Sequence, residues 1–481
     1  MSIRFRRTLA MVMILLAGSL VACGHARADE EKPASDPPKP VSYFRDVMPI
    51  FRGHCLGCHQ PAKRDGELLL TTYEGLLKGG ESEEPGIVAG HPEKSTLVSQ
   101  IVPLGDDPPA MPKKGDPLSA EQVALVKRWI AEGAKDDTPA RAKIVYNQQN
   151  PPQYNAPALI TSLDFSPDGK LLAISGYHEV LLHAADGSGL VARLVGLSER
   201  IERASFSPDG KRLAVAGGAP GRTGEVQVWD LEKRKLTLSH AVTFDTVYGA
   251  SWSPDGKLVA FGCGDNTVRA IESDTGKQVL YMGSHDDWAL DTVFSQDGTQ
   301  VISVSRDMTV KQTDLPTQRF VGNITTHTPG VLRGGMNAVA RHPQSNDLLV
   351  GGADGAPKLF RMDTKAAPAG GGNPNQIREF AAMPGRVFDV CFNHDGSRVI
   401  AGSSFNGAGE VWVFDSGNGK MLVKLEGQQG GVYAVACSPD GKVIATGGFD
   451  GVVRLSDAAA GKLIKQFVPV TLAPDKAASA N

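Results

Sequence analysis

Two cysteines and a histidine stand together at Cys55-Leu56-Gly57-Cys58-His59. Thiols three positions apart can each add across a vinyl group of a haem. An imidazole next in line then falls beneath the iron as its proximal ligand. The motif therefore predicts one haem c, bound covalently through Cys55 and Cys58 and ligated by His59. Three other chemistries compete for these residues. A redox dithiol has no use for the histidine and belongs to a thioredoxin-like βαβ unit, which the flanking sequence does not show. Structural zinc needs a fourth ligand, and no second CxxC or HxxxH lies nearby. A plain disulfide suits an oxidising compartment.

The opposite face of the iron needs a second axial ligand. Met111 sits in the proline-flanked loop Pro108-Pro109-Ala110-Met111-Pro112. A soft thioether suits ferrous iron, and His/Met ligation raises the potential relative to bis-His. The prolines limit the loop's freedom and could hold the sulfur in place. A lone methionine also fills irregular core gaps, which is the bland alternative. His91, in Gly90-His91-Pro92, is the second candidate. His54 is too close to the attachment site to reach the far face easily.

These residues need a small fold to position them. An apolar-spaced stretch, Tyr43 to Phe51, leads into the cysteines. Downstream, Ser119 and Gln122 make a capping box. Val123, Val126, Trp129 and Ile130 then form one apolar helix face, and Gly133 ends it. The unit so bounded runs over 42–138. It resembles the planctomycete-type cytochrome c domain, an all-α cytochrome c-like unit. The resemblance rests on Phe44-Arg45-Asp46-Val47-Met48-Pro49-Ile50-Phe51, on Gly90-His91-Pro92-Glu93-Lys94-Ser95-Thr96-Leu97, on Met111-Pro112 and on Leu118-Ser119 through Trp129-Ile130-Ala131-Glu132-Gly133-Ala134. It implies that Met111 is the distal ligand. The family often has a second proline after Met-Pro, where Lys113 stands here.

The chain before this unit reads as an export signal over 1–28. Arg4, Arg6 and Arg7 precede an apolar run, Thr8 to Ala22, that is short for a membrane span. Leu20-Val21-Ala22-Cys23 resembles a bacterial lipoprotein box, which would leave Cys23 as a lipid-bearing N-terminus. Ala26-Arg27-Ala28 is a competing ordinary cleavage site. Residues 29–41, rich in proline, form an extended tether. The expected location is the periplasm or cell envelope, where c-type haem attachment takes place.

Residues 139–157 form a second linker rich in Pro, Ala, Asn and Gln, and 158–470 is repetitive. The turn Ser166-Pro167-Asp168-Gly169 recurs as Ser207-Pro208-Asp209-Gly210, Ser253-Pro254-Asp255-Gly256, Ser295-Gln296-Asp297-Gly298, Asn393-His394-Asp395-Gly396 and Ser438-Pro439-Asp440-Gly441. Arg341-His342-Pro343-Gln344 is a degenerate copy. A spacing of roughly 40–50 residues is the period of propeller blades. Phe165, Phe206, Trp252, Phe294, Ala340, Phe392 and Cys437 precede the turns as one column of packing residues. The repeats resemble WD-repeat β-propellers, with Val226-Gln227-Val228-Trp229-Asp230 the complete strand signature. The resemblance implies an all-β, seven-bladed propeller, followed by a tail over 471–481. The family's Gly-His dipeptide is missing, and its Asp–His hydrogen bonds are not expected. Gly218 to Gly224 and Ser403 to Gly409 read as long, Gly-rich loops. Cys263, Cys391 and Cys437 read as buried structural thiols. The repeat histidines, His178, His183, His240, His285, His327, His342 and His394, lack metal spacing.

Composition narrows the function. Of 481 residues, 55 are Gly and 31 Pro, which suits a turn-rich β protein. The 50 Lys and Arg against 53 Asp and Glu leave no basic stripe for nucleic acid. There is no phosphate-binding loop, nucleophile elbow or HExxH motif. The expectation is an exported electron-transfer protein rather than an enzyme. An unknown redox partner, or another protein, would dock on the propeller face. The alternatives are a cell-envelope interaction scaffold with a sensory or structural haem, and a haem enzyme of peroxidase type.

Overall fold

A computed structural model describes residues 39–473 except 62, 83, 106, 114–115, 140–144, 326–334 and 363–372. The export signal, most of the Pro-rich tether, part of the second linker, His327 and nearly all of the tail lie outside the described residues. Within 41–481 the chain forms one compact unit, so helical and sheet regions pack directly on one another.

The helical region begins with a single π-helical turn, Tyr43–Val47, that runs into α1, Met48–His54. Ser42 caps this start, its hydroxyl accepting from the Arg45 N–H at 3.0 Å. The same hydroxyl donates to Asp137 at 2.5 Å, and Glu132 accepts from the Val41 N–H at 2.7 Å. Both ends of the region are therefore pinned together. Two short helices follow, α2 (Tyr73–Lys78) and α3 (Thr96–Ile101), and then α4 (Ala120–Ala131). The capping box is formed in full. Ser119 accepts from the Gln122 N–H at 3.2 Å, and the Gln122 side chain accepts from the Ser119 N–H at 2.8 Å. Gly133 takes a φ of 97°, which ends the helix. Val126, Trp129 and Ile130 point into one core with Tyr43, Phe51 and Leu76. Tyr43 stacks on Trp129 at 5.0 Å.

The region is not wholly α. A two-residue hairpin pairs His59–Gln60 with Lys63–Arg64 directly after the cysteines. Helix α1 has to stop there, because the chain must reverse within a few residues, and a tight hairpin satisfies its backbone locally.

The remainder is β. One seven-stranded and five four-stranded sheets each run antiparallel in strict chain order. The seven-stranded sheet exists because Leu190–Phe206 is one continuous strand of 17 residues. Its first part pairs with Tyr177–Ala184 and its last part with Arg212–Ala219. First strands of successive sheets pack side by side, and Val432–Cys437 of the last sheet packs on Leu163–Phe165 of the first. These two sheets share a core that includes Phe165, Leu172, Ala434 and Leu455. The last sheet takes Leu463–Phe467 as its outer strand, so the C-terminal segment completes it.

The repeated turn has one geometry. Ser166 donates its hydroxyl to Asp168 at 2.6 Å and accepts from the Leu171 N–H at 2.9 Å. Gly169 sits at φ 70°, where a side chain would be strained. The degenerate copy is shifted by one residue from the sequence reading. His342 takes the serine position, since its N–H donates to the Asp347 carbonyl at 2.8 Å. Arg341 therefore occupies the column in place of Ala340, pairing with Leu348 as Phe165 pairs with Leu172. The physical reason is Pro343, whose fixed φ must fall on the second position of the turn.

The two Gly-rich segments are not loose loops. They are extended hairpins paired out to Ala219–Thr223 and Phe405–Ala408. Asn406 and Gly407, at φ 50° and 83°, make the tight reversal in the second. Cys263, Cys391 and Cys437 are free thiols within strands.

Buried carboxylates tie neighbouring first strands. Asp164 accepts from the Phe206 N–H at 2.8 Å, Asp291 from Val339 at 3.1 Å and Asp389 from Val435 at 2.9 Å. Arg203 reaches from the first sheet to Asp389 at 3.2 Å. Burial pushes Asp164 and Asp291 up to about 6.

Candidate haem site

The end of α1 delivers the cysteines. The Cys55 N–H still bonds to the Phe51 carbonyl at 2.8 Å, while the Cys58 and His59 N–H groups both bond to the Cys55 carbonyl at 3.1 Å. The pentapeptide is thus a compact turn. The hairpin behind it, and a bond from the Leu70 N–H to the His59 carbonyl at 3.0 Å, anchor its far end.

Cys55 and Cys58 are both free and partly buried. Burial, with a smaller contribution from Cys58, pushes the Cys55 thiol up to about 12, so it stays protonated. The Lys63 ammonium lies 3.5 Å from the Cys58 sulfur. His59 is buried, and its Nδ1 has no hydrogen-bond partner. Burial lowers its pKa, which keeps the imidazole neutral and its lone pair open to a metal.

Met111 is partly buried and packs against the apolar core that Cys55 and Leu56 also border. Its N–H bonds to the Gln100 carbonyl at the end of α3, at 2.9 Å, which ties its loop to that helix. His91 lies differently. It is exposed, with Nδ1 3.0 Å from the Glu93 carboxylate. His54 contacts the Gln122 side chain at 3.3 Å. Two thiols, a buried neutral imidazole with an unpartnered nitrogen, and a thioether on the same core are a donor set that fits a c-type haem. Among the described residues, no group of three or more His, Cys, Asp and Glu side chains is arranged to hold a metal ion by itself.

The motif's own small residue has a structural task. A Cβ on Gly57 would lie 2.5 Å from the Ser239 carbonyl oxygen of strand Lys235–Thr243. The haem loop therefore presses directly on an outer sheet strand, which also covers that exposed edge. Beside it, the fully buried Gln60 donates to the Ser239 hydroxyl at 2.9 Å and to the Leu56 carbonyl at 2.8 Å. Ser239 donates to Glu225, which also accepts from Ser198 at 2.6 Å and Gln227 at 2.8 Å. Gln227 in turn accepts from the Trp229 indole at 2.9 Å. One buried hydrogen-bond chain runs from the residue after His59 to the Trp-Asp strand.

Sequence reasoning missed this chain, because nothing local links Gln60 to Ser239, 179 residues apart. It also missed an Asp–His network in the sheet that opens with Ala289–Phe294. His285 Nδ1 lies 2.8 Å from Asp307 and its Nε2 lies 2.8 Å from Ser303. The signal was Gly283-Ser284-His285, a Gly-His pair split by one serine.

Comparison with known proteins agrees with this division of the chain. Residues 55–115 match the planctomycete cytochrome C family. Residues 152–187 and 419–457 match the WD domain, G-beta repeat, and 222–304 match the anaphase-promoting complex subunit 4 WD40 domain. Among similar proteins, a ribosome biogenesis protein WDR12 homolog of Chlamydomonas reinhardtii is 25% identical over 62% of this chain and 71% of its own length. The human angio-associated migratory cell protein is 28% identical over 49% of this chain and 51% of its own. Periodic tryptophan protein 2 of Arabidopsis thaliana is 25% identical over 50% of this chain, but the match covers only a quarter of that protein.

Proposed function

We propose that this chain, which joins a planctomycete cytochrome C domain to WD repeats, is an exported electron-transfer protein holding one covalent haem c. Cys55 and Cys58 would hold the group through thioethers, and His59 and Met111 would ligate its iron. The haem would supply an Fe(III)/Fe(II) couple. The residues of this chain do the rest. The turn at 55–59 fixes the two thiols and the imidazole in one frame, burial keeps His59 neutral, and the α3 contact holds the Met111 loop against the core. With His59 and Met111 both engaged by the group, outer-sphere electron transfer would be favoured over chemistry at an open iron.

The repeats read as seven blades. Strand Leu190–Phe206 would serve two of them, so that six sheets would make seven four-stranded units, and the packing of the last sheet on the first supports a closed ring. Such a ring would be a rigid platform for a protein partner. The chain would mature in the periplasm or cell envelope, with Cys23 as a lipid anchor where cleavage falls before it.

The observation that carries this reading is the CxxCH turn with its buried His59, whose Nδ1 has no partner. The test is to express the full chain with a cytochrome c maturation system and export it. Haem absorption that survives denaturation and organic extraction is expected, together with a near-infrared Met–iron charge-transfer band that disappears in Met111→Ala. Exported protein that lacks haem overturns the reading. A spectrum unchanged in Met111→Ala shifts it to an open distal face and to the peroxidase class.

A further inference from the structure

Two of the three sheet cysteines stand on neighbouring first strands. Cys391 belongs to Arg386–Phe392, and Cys437 ends Val432–Cys437, the first strand of the next sheet. A repeated side-chain bond sets how such strands lie against each other. Asp389 accepts from the Val435 N–H at 2.9 Å. The first repeat makes the same link through Ser162, which accepts from the Ala204 N–H at 3.0 Å. Ser162 and Asp389 each stand three residues before the packing column, and Ala204 and Val435 each stand two before it.

In the first repeat the link recurs two residues further on, where Asp164 accepts from the Phe206 N–H at 2.8 Å. Cys391 occupies the place of Asp164 in its own repeat, and Cys437 the place of Phe206. A side chain at the first place therefore reaches the backbone at the second. Strand alternation gives the same answer. Asp389 and Cys391 are in regular register with the facing strand, opposite Gly402 and Ile400, so their side chains point the same way. Val435 and Cys437 are likewise in regular register, opposite Thr446 and Ile444.

The surroundings of the two sulfurs are shared. Both cysteines pack against one apolar core with Val411, Val435 and Ile444. Burial raises both thiols, and the charge of Cys437 adds to the rise at Cys391. Cys437, pushed up to about 11, ionises before Cys391. Both remain partly exposed, whereas Cys263 is buried within another sheet.

We propose that Cys391 and Cys437 form a disulfide that staples the last two sheets together across their first strands. Its chemistry is thiol–disulfide exchange with a small disulfide such as oxidised glutathione. The Cys437 thiolate attacks one sulfur of the donor, whose S–S bond breaks, and one glutathione thiolate leaves. The Cys391 thiolate then attacks the Cys437 sulfur of the mixed disulfide and expels the second glutathione thiolate. The protein thiols lose two electrons and two protons, and the donor takes them up as two thiols. The bond would close a loop that holds the rest of the sheet begun by Arg386–Phe392, which restricts the unfolded chain. Only the supply of oxidant rests on the export reading; the pairing of the cysteines does not.

The test equilibrates the folded, haem-loaded full chain with excess oxidised glutathione, alkylates it with iodoacetamide and digests it without reductant. Mass spectrometry should find the Cys391 and Cys437 peptides joined, two hydrogens lighter than the reduced pair, and Cys263 alkylated. The unfolding midpoint should lie a few degrees above that of the same chain treated with dithiothreitol. That difference should vanish in Cys391→Ala and in Cys437→Ala. The Cys55→Ser/Cys58→Ser chain should form the same bridge, which keeps this result separate from haem attachment. A bridge that forms with glutathione but is absent from the exported chain supports the pairing and counts against export to an oxidising compartment. Two results overturn the proposal. They are both thiols still alkylated after equilibration, and glutathione retained on either cysteine as a mixed disulfide that the other does not resolve.

Discussion

In the helical region, the proposed chemistry rests on five consecutive residues, Cys55 to His59, together with Met111. In the sheet region the same Ser-Pro-Asp-Gly turn is built again and again, with Ser-to-Asp bonds of 2.6 Å at Ser166, Ser207 and Ser438 and 2.7 Å at Ser253. A function concentrated in one place is lost with a single substitution. A structure distributed over many equivalent turns is not. The sheets add nothing to the haem donor set, yet they close off one side of the loop that carries it.

The sharpest break of this contrast is in the haem turn. Cys55→Ser/Cys58→Ser should abolish covalent haem entirely, read as the absence of haem stain on the denatured band. No single turn variant in the sheets should reduce that stain.

The next effect lies where the two regions meet. Gly57→Ala puts a Cβ 2.5 Å from the Ser239 carbonyl, a backbone atom that cannot swing away. The variant should lose roughly 1–3 kcal/mol, as overpacked sites do. Thermal unfolding should show the helical region melting earlier, and haem attachment should persist, because neither thiol is touched.

A third prediction concerns the buried carboxylates that tie the sheets. Asp291 is raised by burial from 3.8 to about 6. Below about pH 4 it is protonated in both the folded and unfolded states, and its contribution is fully present. As pH rises, the unfolded chain ionises first, so stability falls until the folded group also ionises, near 6. Asp291→Asn removes that loss. Relative to the parent, it should gain roughly 1–3 kcal/mol between about pH 4.5 and pH 7.5. Denaturant unfolding at the two pH values measures the difference. An identical offset at both would mean that the carboxyl is not shifted.

The smallest effect belongs to a single repeat's surface. Lys170 pairs with Asp168 at 3.3 Å, with both side chains largely exposed. Lys170→Ala should change the unfolding free energy by less than about 0.5 kcal/mol.

Much of this was legible in the sequence wherever the cause was local. The Ser119–Gln122 capping box, the Gly133 stop and the Pro-Asp-Gly turns are each settled within a few residues, and each has the predicted geometry. Errors arose where geometry depends on a neighbour. The turn at His342 slipped by one, because Pro343 outweighed the apolar spacing that pointed to Ala340. Gly218 to Gly224 read as a loop from its glycines, but pairing with the facing strand draws it into a hairpin. His285 read as a scattered histidine, yet Ser303 of the strand Gln300–Ser305 and Asp307 of the turn after it hold it.

By itself, then, the order of residues determined the haem motif, the helix around it and the repeat that builds the sheets, since each rests on contacts within one turn or one hairpin. Only the tertiary structure decided that Gly57 and Gln60 press against Ser239, and that Met111 rather than His91 lies on the motif's core. Those outcomes depend on which buried groups find partners across more than a hundred residues of chain, and the cost of leaving a polar group unpaired is settled only when the whole fold closes around it.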